Sequence, residues 1–282
     1  MANIKINNLD NSAKDKLRNS QFYKLDFGID EENSEKMELL ILIAYLSGFS
    51  AIDISANKEL IDKAIDSINK AKQKSYELNM DINQDILLCA SLGINLFKNL
   101  NDDEIINHIG LLKHKNINII DIHFNETSFL SNTKYIDLIL NCLKDKIISV
   151  NISRKKLSNA NIINLLKILN SYSKNNLIIE VEGLRYYKDD FSQILQTIST
   201  ADIINKQFKQ KSPKYRNIPL ILGNSFKGEI EKLAVKCDVP FNGININSGD
   251  FNEVLRNKSP SISNEEIKSI LIHIKDRFIK SN

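Results

Sequence analysis

The chain has 282 residues, 42% hydrophobic and 26% charged, which excludes global disorder and leaves apolar material for a sizeable core. Its 38 basic and 35 acidic residues nearly cancel to a formal charge of +3, without the basic footprint of a nucleic-acid binder, so no nucleic-acid partner is expected. No apolar run reaches the roughly 18 residues of a membrane span, and the three cysteines, Cys89, Cys142 and Cys237, form no CxxC pair, which excludes a local zinc knuckle or ferredoxin-type cluster and suits a reducing compartment.

The N-terminal stretch "MANIKINNLDNSAKDKLRNSQ" is polar and carries acids, unlike a signal or transit peptide. Residues 1–20 are read as a polar arm ahead of a domain covering 21–282. From there short β-branched runs alternate with stretches of helical period. The expected strands are "FYKLDFG" (22–28), "AIDIS" (51–55), "ILLCAS" (86–91), "INIIDIHF" (117–124), "IISVNIS" (147–153), "LIIEVEG" (177–183), "IPLILG" (218–223) and "FNGININ" (241–247). Each is followed by a helical pattern, and several of these open with Asn, Ser or Asp ahead of acids, as helix N-caps do.

Strands alternating with helices imply a parallel sheet, and eight such units in series close into a single (β/α)8 TIM barrel. A doubly wound open sheet is the rival. The first βα turn, "FGIDEENSEK", lacks GxGxxG, and no GxxxxGK[ST] occurs, so nucleotide-binding signals do not support that rival.

Parallel strands packed on both faces read as continuous apolar runs, and these do not. Lys24 and Asp26 share one face of the first strand, Asp121 and His123 of the fourth, Asn151 and Ser153 of the fifth, Glu180 and Glu182 of the sixth, and Asn245 and Asn247 of the eighth, while Asp53 interrupts the second. The residues between them are apolar and face the helices, so the polar set points into the barrel. Active sites of this fold lie at the C-terminal strand ends. The later members, Asp26, His123, Ser153 and Glu182, are therefore the ones placed for chemistry. The earlier members, Lys24, Asp121 and Glu180, form a deeper layer of ion pairs, with Lys24 against Asp53 or Glu180.

His123 can act as general acid or base, with Glu182 or Asp26 as counterpart, and Asp53 completes the candidate catalytic set. A lone histidine near a strand end is more often structural than catalytic, and His108, His114 and His273 fall on helical patterns as solvated side chains. Cys89 reads as a small core residue. No HxH or HExxH spacing supports a metal, and none is expected. Lys24 has the chemistry for a Schiff base, but its early place in the first strand argues for burial in an ion pair. Gly223, Asn224 and Ser225 in "LILGNSFKGEIEKL", with Asn247 and Ser248 in "NSGDF", sit where barrels often bind phosphate, although Asp250 would repel an anion there. As plain turn residues they need no ligand. Asn151, Ser153 and Arg185 join them as candidate ligand-binding residues.

Several segments together resemble the cyanobacterial light-dependent-period protein family, LdpA. They are "LLILIAYLSGFSAIDISANKELIDKA" (39–64), "INIIDIHFNE", "PLILGNSFKGEIEKL" and "FNGININS". Their order and spacing match the family across nearly the whole chain, and His123 falls on its strand histidine, Gly223 and Asn224 on its glycine-rich turn. The family carries ferredoxin-like cysteine clusters after a strand that "ILLCASLGIN" resembles. Here the chain runs directly on to "LFKNLNDDE", so no iron–sulfur cluster is expected and any other cofactor is left open. A further family stretch is reduced to "EGLRYYKDD", keeping Gly183 and Arg185. The resemblance implies a regulatory or small-ligand-binding barrel of the cytoplasm or a plastid stroma, linked to light or circadian regulation, with a small molecule or a regulatory protein as partner. The alternative is a lyase, aldolase or isomerase acting on a small substrate, phosphorylated or not.

Overall fold

The computed structural model describes residues 6–27, 36–80, 82, 85–93, 101–124, 133–153, 158–173, 176–182, 190–211, 213–223, 229–255 and 263–278. Eight parallel strands close into one barrel in sequence order: β1 (Phe22–Asp26), β2 (Ala51–Ser55), β3 (Leu87–Gly93), β4 (Ile117–Phe124), β5 (Ile147–Ser153), β6 (Leu177–Glu182), β7 (Leu220–Leu222) and β8 (Gly243–Asn247), with β8 pairing back onto β1. The chain is a (β/α)8 barrel. The expected third strand extends two residues further, to Gly93, and the expected seventh shrinks to three residues.

The outer face of the strands, including Leu25, Ile52, Ile54, Ile120, Ile122, Val150, Ile152, Ile179, Val181, Ile244 and Ile246, is buried in one apolar cluster with the surrounding helices. Those helices are α2 (Met37–Leu46), α3 (Lys58–Glu77), α4 (Asp102–Leu112), α5 (Thr133–Cys142), α6 (Asn159–Ser173), α7 (Asp190–Ile204, continued by a π turn over Asn205–Lys209), α8 (Pro213–Arg216), α9 (Glu229–Lys236), α10 (Ser248–Leu255) and α11 (Asn264–Phe278). Their starts carry the expected chemistry. The Asn57 side chain accepts from the backbone N–H of Glu59 and Leu60, and Asn101 with Glu104 forms a reciprocal capping box.

A second, separate apolar cluster fills the barrel floor: Phe22, Ala51, Leu87, Cys89, Ile119, Ile147, Ile178 and Ile221, closed from below by Ile6, Leu9, Ala13 and Leu17. The last two belong to α1 (Asn11–Arg18), a helix N-capped by the Asp10 carboxylate. Residues 6–18, polar on average, thus present an apolar stripe to the open lower end of the barrel. The Lys16 ammonium donates to the Gly48 carbonyl at 2.9 Å and fastens the helix to the α2–β2 turn.

One irregularity sets the site. The β3–β4 register shifts between Leu88 and Cys89, and the Asn118 side-chain oxygen accepts from the Leu88 N–H at 2.9 Å. Ile117 lies in the outer cluster and Ile119 in the inner one, so the extra residue reverses the alternation and aims Asp121 and His123 inward.

Candidate functional site

Because the strands are staggered around the barrel, alternate strands contribute side chains to a common level. Above the floor, Lys24 of β1 reaches up to a level formed by even-numbered strands: Asp53 of β2, Asp121 of β4, Glu180 of β6 and Asn245 of β8. The next level holds Asp26, Ser91, Asn151 and Gly223, and the mouth holds Ser55, His123, Glu182 and Asn247. The sequence expectation of inward polar pairs with ion pairs beneath the mouth is met.

The Lys24 ammonium lies 2.9 Å from Asp53, 2.6 Å from Asp121 and 2.6 Å from Glu180, all four side chains at most 2% exposed. Three donors thus meet three carboxyl groups. Burial alone would depress the Lys24 pKa, but Asp121, Asp53 and Glu180 together outweigh it and hold the ammonium well above the ordinary lysine range. Burial also pushes the Asp53 carboxyl up, against the opposing pull of Lys24, and pushes Glu180 well up. One cation cannot neutralise three buried carboxylates, which favours the protonated form of Asp53 and Glu180. Glu180 also accepts from the Asn245 and Asn151 amides. Cys89, beneath, is driven well up by burial and by Asp53, and is no thiolate nucleophile.

His123 stands above this cluster and is the more open member, with 23% of its side chain exposed. Its Nε2 lies 3.3 Å from Ser91 Oγ, and Ser91 Oγ donates to Asp53 at 2.6 Å. Since the single hydroxyl proton goes to Asp53, Nε2 carries the proton toward Ser91. Burial lowers the imidazole pKa, but Asp121, Glu182, Asp53 and Asp26 more than reverse it, so the raised pKa favours the imidazolium, an acid able to donate a proton. Among the described residues, a Cβ on Gly93, which pairs in register with His123, would meet nothing within 4 Å, so these residues leave space beside the imidazole.

Of the candidate residues, Asp53 belongs to the closed ion-pair level, while Asp26 and Glu182 supply charge around His123 from buried positions. Asn151 points at Glu180. Gly223 backs onto Glu182, whose Cγ would lie 2.6 Å from a Cβ there. Asn247 accepts from the Gly249 N–H at 2.7 Å and Ser248 Oγ donates to the Phe27 carbonyl at 3.2 Å, so both meet local partners. The Ser153 side chain, Arg185, Asn224 and Ser225 lie outside the described residues. The sequence reading did not single out Ser91 as the link between His123 and Asp53. The signal was present, as Ser91 is the polar residue at the strand end two positions after Cys89. Asp53, Asp121 and His123 also offer ligand atoms within 4.8 Å of one another, although Lys24 already bridges the two carboxylates.

No protein-family profile matches the chain, and no curated protein matches it in sequence. Among the described residues no helix is long and apolar enough to cross a membrane. Solved structures do match in shape. A truncated 3-deoxy-D-arabino-heptulosonate 7-phosphate synthase from Thermotoga maritima is 12% identical with a TM-score of 0.53, over 90% of this chain and 86% of that one. A putative deoxyribose-phosphate aldolase from Toxoplasma gondii is 13% identical with a TM-score of 0.53, over 90% and 94%. A spore coat polysaccharide biosynthesis protein from Bacillus subtilis is 10% identical with a TM-score of 0.54, over 90% and 67%. At these identities the likeness is one of fold alone.

Proposed function

We propose that this chain is an enzyme of the lyase, aldolase or isomerase type, acting on a small molecule at the C-terminal mouth of the barrel. His123 serves as general acid and base, and Glu182 or Asp26 as its counterpart. The observation that carries the reading is the tether of His123 through Ser91 to Asp53, beside open space and under four carboxyl groups that favour its proton. Two of the fold neighbours are a synthase and an aldolase by name, which agrees with this class. A Schiff-base route through Lys24 is disfavoured. Its ammonium is buried, faces three carboxyl groups and keeps its proton, whereas an attacking amine must lose it.

Turnover of small hydroxycarbonyl compounds, phosphorylated and not, tests the reading. In the enzyme reading His123→Ala lowers kcat by about 10²- to 10⁴-fold, the usual worth of a positioned general acid, with the fold intact by circular dichroism. Wild-type protein inert toward the whole set, or an equally active variant, refutes it.

The second reading is an LdpA-like regulatory barrel without iron–sulfur clusters, binding a metabolite or a protein partner. The paired-off Lys24 cluster favours it, since a scaffold closes its polar interior on itself. Metabolite-induced stabilisation with no turnover would select it over the enzyme.

A further inference from the structure

We propose that the ligand of the barrel mouth is a small molecule bearing a primary ammonium group, and that the site selects this amine over a phosphate. The inference rests on the mouth being a ligand site, as proposed above, and names the chemistry of what it takes.

Charge is the first observation. Among the described residues the inward levels hold Asp26, Asp53, Asp121, Glu180 and Glu182, all buried, against Lys24 and His123. Burial pushes the Asp53 and Glu180 carboxyls up, the neighbouring carboxyls push them further, and a bound cation would relieve that strain.

The second observation is independent of charge. Among the described residues the Ser149 hydroxyl, 2% exposed and paired in register with Asp121, has no hydrogen-bond partner, and neither have Asp121 Oδ1 and Asn245 Oδ1. The Asn245 amide nitrogen is committed to Glu180, so its oxygen is fixed as an acceptor. Asp121 Oδ1 and Asn245 Oδ1 lack a donor, and the Ser149 hydroxyl can accept one. A primary ammonium has three N–H groups and no acceptor, while a phosphate brings mainly acceptors. The fold supplies its own precedent in Lys24, an ammonium set among three carboxyl groups of this same level at 2.6–2.9 Å.

The usual phosphate place of a barrel is built against an anion here. A Cβ at Gly223 would lie 2.6 Å from Glu182 Cγ and 3.5 Å from Glu180 Oε1. At the start of α10 the Gly249 N–H is taken by Asn247, and Asp250 puts a negative charge in the first turn.

The test is thermal shift and calorimetry on the full chain at low ionic strength. The probes are ethanolamine, putrescine and D-glucosamine, with D-glucose, inorganic phosphate and manganese chloride each added alone. The expected result is stabilisation by at least one amine, none by glucose, and at least tenfold weaker amine binding in both Glu182→Gln and Asp26→Asn with their folds intact. Stabilisation by phosphate without any amine, by manganese without any amine, or by no amine at all overturns the proposal. Turnover of a phosphorylated hydroxycarbonyl compound without amine binding would end this inference and leave the enzyme reading standing. Amine binding without turnover of any compound would do the reverse.

Discussion

Lys24 is the residue on which the interior depends. A lone ammonium at 2% exposure would be driven to lose its proton, and three buried carboxyl groups without it would carry uncompensated charge. Lys24→Met removes the cation and keeps the volume. It is expected to destabilise the fold by about 3–5 kcal/mol at pH 7, the range for breaking a buried pair from one side. Protonating the stranded carboxyls relieves part of that loss. The folded pKa values of Asp53 and Glu180 lie above the unfolded ones, so their contribution is present at low pH and fades as pH rises through the folded values. Urea unfolding at pH 5 and pH 7 should therefore show a smaller penalty at pH 5, and an equal penalty at both would mean the cluster is not ionised as described. His123 carries the same sign. Its folded pKa is raised above 6.5, so it stabilises the fold below the unfolded value and loses that contribution as pH rises through the folded value. In His123→Gln the fall in stability above pH 6.5 should flatten, and an unchanged slope would show that the imidazole does not feel Asp121 and Glu182.

Elements were legible to the degree that their side chains alternate. The period-two polar residues gave both the strand positions and the direction they face, because an outward Asp121 or Glu180 would meet the helices with no partner. The length of β7 was not legible: Ile218 and Pro219 continue the apolar run of the sequence, but only Leu220–Leu222 enter the barrel. The irregularity at Asn118 was equally silent, since "INIIDIHF" reads as one unbroken strand. Yet the bulge decides where the chemistry points. Deleting Asn118 removes the extra residue and sets Ile117 directly before Ile119, which restores plain alternation with Ile117 outward and Asp121 and His123 still inward. Such a deletion should therefore leave a soluble folded protein. Asn118→Ala keeps the residue count and strands only the Leu88 N–H, at about 1–3 kcal/mol for a buried unsatisfied group. Urea unfolding compares the two, and a deletion that leaves no folded protein where the alanine variant folds would mean that the register needs the extra residue.

At the scale of the whole molecule, the barrel is two cores stacked through its own wall: an outer one shared with the helices and an inner one capped from below by residues 6–18. The composition of the first twenty residues suggested an arm, because Asn, Lys and Asp outnumber the few apolar side chains. What composition hides is spacing, as Leu9, Ala13 and Leu17 fall four residues apart, Ala13 and Leu17 on one face of α1 and Leu9 just ahead of its N-cap. Without that face the floor residues Phe22, Leu87, Ile119, Ile147 and Ile178 would stand open at the barrel's lower end, forming an apolar patch of the kind that drives association. A chain beginning at Ser20 should keep the strand order and His123 environment, since the ion-pair level lies above the floor. It should nevertheless melt lower, bind a hydrophobic dye and associate with rising concentration. Leu17→Ala, which leaves the helix in place, should cost about 2–5 kcal/mol, as for other buried leucines. Sedimentation and dye binding distinguish the cases: a truncated chain that remains monomeric and dye-free would mean that the floor is closed by the strands alone and that α1 is dispensable.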